Sequence, residues 1–205
     1  MQKEHWEKVY TSKAANEVSW FQERAELSLR LIQEAGIGKE ASLIDVGGGA
    51  STLVDDLLAL GYEDLTVLDL SGAALETAKA RLGAQAARVH WQVADIRTAV
   101  FAKHRFDVWH DRAVFHFLTE EADKQKYVEQ VLHAVKPGGW VMVATFAEDG
   151  PTRCSGLPVA RYSPDELHGV FGEPFSLIQH VRESHYTPAG SEQKFVYCFC
   201  RKEAI

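Results

Sequence analysis

Short apolar runs of strand length alternate with segments of helical period through the middle of this chain, and few folds accept that alternation. "ASLIDVG", "LTVLDLS", "RVHWQVAD", "RFDVWHDR" and "WVMVATF" read as strands in succession. Between them, Leu53, Val54, Leu57 and Leu58 predict a helix ending at Gly61, and Ser71 stands where it can cap an alanine-rich helix over 72–82. Val128, Val131, Leu132 and Val135 follow an i, i+3, i+4, i+7 pattern, which predicts an amphipathic helix over 119–135. "KPGG" (Lys136–Gly139) is expected to stop it and turn the chain into the fifth strand. Strand–helix alternation implies right-handed crossovers and a parallel sheet covered on both faces, an α/β doubly wound fold. Helices are also expected over 3–12, over 18–35 (Trp20, Leu27 and Leu31 on one stripe) and near 163–170. "FSLIQHVRE" and "KFVYCFCRK" read as a closing antiparallel pair.

In such sheets ligands bind beyond the carboxyl ends of the strands. The first strand runs into Gly47, Gly48 and Gly49, followed by Ser51 and Thr52. Glycine permits a sharp turn and lets a ligand approach the backbone without meeting a Cβ. Asp69 ends the second strand 20 residues after Gly49, about the spacing at which an acid takes a ribose diol. A nicotinamide dinucleotide is the simplest ligand to consider, but the third glycine of its fingerprint is replaced by Thr52. Asp45, just before the turn, suits a cationic ligand better than a pyrophosphate. Asp95 follows the third strand, and His110, Asp111 and Arg112 follow the fourth.

These segments, "LIDVGGGAS", "VLDLS", "VADI", "FDVWHDRAVFHFL" and "KPGGWVMVATF", resemble in order the motifs of the class I S-adenosylmethionine-dependent methyltransferases, over residues 41–146. The resemblance implies a Rossmann-like, mostly parallel seven-stranded sheet whose last strand is antiparallel. It implies that Asp45, Gly47 and Gly49 approach the amino-acid part of the cofactor. Asp69, with Leu70 beside it, would hold the ribose; Asp95 and Ile96 would receive the adenine; Asp111 and Arg112 would lie at the sulfonium end. The N-terminal "HWEKVYTSKAANEVSWF" is similar to the lid of small methyltransferases that include the elongation-factor lysine methyltransferases, with Trp6, Tyr10 and Trp20 at the matching positions. Where those enzymes carry an acid-lysine-glycine turn, this chain has Asp111, Arg112 and Ala113.

One domain is expected over 1–205: a helical lid or substrate cover over 1–35, a cofactor-binding core over 41–146, and a substrate loop with closing strands over 147–205. The expected activity is methyl transfer from S-adenosylmethionine to a nucleophile on a small molecule. A protein lysine, or a cofactor-binding module without turnover, are the alternatives. His116, Cys154 and Arg161 are the substrate-side candidates, and the kind of atom methylated is open. His110, Asp111 and His116 lack a fourth ligand at a recognised spacing, so no metal is expected. Net charge −7 offers no basic field for nucleic acid. No apolar run approaches the ~20 residues of a membrane span. Three cysteines are too few for a disulfide framework, and a reducing cytoplasm is expected.

Overall fold

The computed structural model describes residues 3–12 and 17–204; residues 13–16 of the expected lid lie outside the described residues. The chain runs α1 (Lys3–Ser12), α2 (Glu26–Glu34), β1 (Ser42–Val46), α3 (Leu53–Ala59), β2 (Asp64–Asp69), α4 (Gly72–Leu82), β3 (Val89–Val93), β4 (Phe106–Arg112), α5 (Glu121–Ala134) and β5 (Val135–Phe146). A two-stranded hairpin follows, β6 (Arg153–Cys154) with β7 (Leu157–Pro158), then α6 (Pro164–Phe171), β8 (Phe175–Tyr186) and β9 (Glu192–Lys202). Seven strands form one sheet in the order β3-β2-β1-β4-β5-β9-β8. The β3 to β5 half is parallel, and β9 pairs antiparallel with both β5 and β8. Strand order reverses between β1 and β4, so the glycine turn after β1 stands at the switch point.

Side-chain alternation divides the interior into two layers. Leu43, Val67, Val108, Met142 and Tyr197 face α2 and α3, whereas Ile44, Leu68, Trp109, Val143 and Cys198 face α5 and α6. A third, small cluster of Trp6, Val9 and Val18 lies apart from both, above the carboxyl ends of the strands. Among the described residues no helix is long and apolar enough to cross a membrane.

Two expectations change. Helix α2 begins at Glu26, not at residue 18, so Trp20 is not on its stripe. The Ser19 carbonyl accepts from His185 (2.8 Å) and the Trp20 carbonyl from Arg112 (3.2 Å), so tertiary donors take the acceptors a helix would use internally. The "KPGG" segment lies within β5: Phe106 pairs with Val135 and Val108 with Trp140, so the extra residues bulge from a ladder that resumes.

Candidate active site

The turn after β1 brings backbone and acids together. Gly47 and Gly49 hold φ of +67° and +38°, where a side chain would be strained. Space also excludes one: a Cβ would stand 1.9 Å from Val114 Cγ2 at Gly47, 2.6 Å from Asp45 Oδ2 at Gly48, and 2.6 Å from Asp69 Oδ2 at Gly49.

Asp45 and His110 are register partners on adjacent strands. Asp45 Oδ1 meets His110 Nδ1 at 2.7 Å, and His110 Nε2 meets Ser28 Oγ of α2 at 2.8 Å. All three side chains are buried, and Asp45 Oδ2 has no hydrogen-bond partner. At the end of β2, Asp69 accepts the Ser71 N–H at 2.8 Å. Burial pushes its carboxyl up to about 7; the Ser71 N–H opposes this and the Asp45 charge adds to it.

Two recesses open here. The first is lined by Asp69, Leu70, Ala94, Ile96, Val114, Phe117 and Cys154, the second by Asp45, Gly48, Ser51, Gln22 and His110. Tyr10, Trp20, Gly47 and Arg112 line both, so the two lie back to back.

The roof is aromatic. Trp6 packs edge-on against Trp20 (ring centroids 5.6 Å) and Phe117 (5.1 Å), and Tyr10 lies 6.2 Å from Trp20. Leu157, on the hairpin that carries Cys154, packs on the same cluster. Glu7 reaches down from α1 to the N-terminus of α4, where its carboxylate accepts from Gly72 N (2.7 Å), Ala73 N (3.2 Å) and Ser71 Oγ (3.1 Å). Carboxylates at helix N-termini are favoured. At the opposite rim Arg112 is buried over the Phe195 ring (4.2 Å). It donates to Tyr197 Oη (2.9 Å) and Glu183 Oε2 (3.1 Å), and Gln22 donates to Glu183 Oε1 (3.2 Å).

The structure brings together Trp6, Tyr10, Trp20, Asp45, Gly47, Gly49, Asp69, Leu70, Ile96, Arg112 and Cys154. Four expected residues stand elsewhere. Asp111 points to the α5 face, where it accepts from Tyr127 Oη (2.6 Å), Val114 N (2.9 Å) and Phe115 N (3.1 Å). Burial nonetheless raises its carboxyl to about 6. Asp95 is turned onto Arg97, which also bridges to Asp123. Arg161 lies outside, donating to the Gly150 carbonyl. His116 is enclosed, and its Nδ1 accepts the Phe146 N–H at 3.3 Å. Burial, with Arg112 nearby, drives its pKa down to about 3. His110 and Asp111 face opposite sides of the sheet, so they do not share a ligand. Sequence reading missed Ser28, Glu7, Val114, Phe117, Glu183 and Tyr197. The period-two run "KFVYCFC" placed Tyr197 on a face, but nothing local marks Glu183 as its partner.

A parallel sheet with an antiparallel β9, a glycine turn at its switch point and an acid ending β2 define the class. Residues 43–139 match the family described as a methyltransferase domain, and over that stretch the chain is a methyltransferase domain. EEF1A lysine methyltransferase 2 of Danio rerio is 24% identical over 202 residues, covering 92% of this chain and 81% of the relative. A solved structure concerned with conversion of a disulfide bond into a thioacetal group during echinomycin biosynthesis superposes with a TM-score of 0.79 at 18% identity, covering 100% and 93% of the two chains. The 1,6-didemethyltoxoflavin-N1-methyltransferase of Burkholderia thailandensis, with bound 1,6-didemethyltoxoflavin and S-adenosylhomocysteine, gives 0.69 at 20%, covering 98% and 84%. At these identities the solved structures establish the fold.

Proposed function

We propose that this enzyme methylates an uncharged small molecule inside the roofed recess. The observation that supports this best is the composition of the recess on its Cys154 side. Trp20, Ala113, Val114, Phe117 and Cys154 line it there, with Arg112 as the charged group. The Arg112 charge is already taken up by Glu183, so an anionic acceptor finds no free cation. Burial pushes the Cys154 thiol up to about 12, so it is no base at neutral pH.

The residues fit S-adenosylmethionine. Bound there, the cofactor supplies a methyl group on a sulfonium that needs no further activation. The unpartnered Asp45 Oδ2 would accept its ammonium, Gly47 and Gly49 would face its amino-acid part, and Asp69 would take the ribose hydroxyls. Ala94, Leu70, Ile96 and Val114 would hold the adenine by apolar contact. This reading leaves Asp95 with Arg97 and gives Asp111 the task of fixing the turn at Val114 and Phe115. Trp6, Tyr10 and Trp20 would close over the cofactor and exclude water.

Catalysis then rests on holding donor and acceptor in line, which is worth about 7–11 kcal/mol in favourable cases. With no base on the Cys154 side among the described residues, the acceptor must attack through an electron pair that is not protonated when it arrives. The test is a panel of neutral heteroaromatic amines and thioethers against a lysine-containing peptide, followed by S-adenosylhomocysteine release. Turnover with members of the first group and none with the peptide is expected; turnover with the peptide alone would overturn the small-molecule reading.

A further inference from the structure

Asp45, His110 and Ser28 form a buried chain whose two bonds are 2.7 and 2.8 Å long, and its outer end is the unpartnered Asp45 Oδ2. An orphaned carboxylate oxygen in the interior is costly, on the order of 1–3 kcal/mol or more for a charged group. Natural structures keep such an atom where a ligand completes it. Oδ2 lies at the glycine turn and Asp45 lines the second recess, as does His110.

The geometry points to His110 as a positioning residue for the amino-acid end of the cofactor, acting through Asp45 and itself held by Ser28. This rests on the cofactor placement proposed above. A carboxylate has two oxygens and rotates about its Cβ–Cγ bond unless one is tied. His110 Nδ1 ties Oδ1 and leaves Oδ2 facing the turn. An imidazole ring makes this tie more firmly when its far nitrogen is also bound, a general feature of oriented histidines. Ser28 supplies that bond from α2 and is fully buried. The tie from His110 leaves Asp45 one defined oxygen to present, and Ser28 steadies the ring that makes it.

The test separates the two nitrogens of the imidazole. Asn carries an N–H donor where the imidazole Nδ1 stands, and Gln carries one where Nε2 stands. Calorimetry on His110→Asn, His110→Gln and Ser28→Ala would use S-adenosylhomocysteine, which has the ammonium, and 5′-methylthioadenosine, which lacks it. His110→Gln should lose at least tenfold in S-adenosylhomocysteine affinity and less than twofold in 5′-methylthioadenosine affinity. His110→Asn should stay within threefold of wild type for both. Ser28→Ala, a milder change, should show the same ligand split at two- to fivefold, which keeps the test alive should His110→Gln not fold. Equal losses for both ligands, or no loss for either, overturn the positioning role. Wild-type protein that binds neither ligand overturns the cofactor placement and this inference with it.

Discussion

Helices α1 and α5 both cover the sheet, but they are held in different ways. Helix α5 buries Tyr127, Val131 and Ala134 in the main core, and its Tyr127 hydroxyl donates to Asp111 and accepts from Trp109 Nε1 (2.9 Å). Helix α1 buries Trp6 and Val9 in the small third cluster and ties itself to α4 through one carboxylate, Glu7. One helix is packed into the main core; the other is fastened at an edge. Local opening free energies follow burial and hydrogen bonding, so the two should open at very different cost.

The largest effect belongs to α5. Tyr127→Ala removes a buried ring and strands both Asp111 and Trp109, and should lower unfolding free energy by about 3–5 kcal/mol in denaturant titrations. Trp6→Ala, an equally large deletion in the lid, should cost less than about 1 kcal/mol in the same titration, because the sheet survives with α1 open. It should nevertheless weaken cofactor binding. Similar losses for both variants would break the comparison.

Asp69, beneath the lid, comes next. Its folded pKa of about 7 lies above the unfolded value, so the native state binds the proton more tightly. The associated stability is fully present below about pH 4 and is lost as pH rises through 7. Asp69→Asn keeps the acceptor for Ser71 and removes the loss. It should raise the stability of the empty protein at pH 8 by on the order of 2–4 kcal/mol, with the gain shrinking towards pH 5. Asp69→Ala should weaken S-adenosylhomocysteine binding by about 2–3 kcal/mol in calorimetry. A destabilised Asp69→Asn at pH 8 would show that the carboxylate is a structural group.

Glu7→Ala should give the smallest change. Losing a carboxylate at a helix N-terminus costs a few tenths to about 1 kcal/mol, and solvent screens much of it. Exchange should quicken over residues 3–12 and at the start of α4, and stay unchanged in α5.

The sheet was legible because its signals are local: apolar runs of strand length, a Ser71 cap, glycines where φ turns positive. Asp69 and the glycine turn were legible for the same reason, since a spacing along the chain fixes their separation in space. Sequence alone did not tell which way Asp111 and Asp95 turn, because a strand-end acid looks the same whether it faces a ligand or a neighbour such as Tyr127 or Arg97. His110 showed the reverse: its meaning lies in Ser28, 82 residues away, which no window of sequence connects to it. The premature start given to α2 has that cause too, because the donors that unwind residues 19 and 20 come from β4 and β8.

Helix α1 and the residues around Trp20 should behave as a cover ordered by the cofactor. Hydrogen exchange with and without saturating S-adenosylhomocysteine tests it directly, by comparing residues 3–12 and 17–22 with residues 121–134. The cover should exchange quickly in the empty protein and slow by tenfold or more on binding, while α5 is slow in both states. Slow exchange over 3–12 and 17–22 in the empty protein, unchanged by ligand, would contradict the claim and make the segment part of the core.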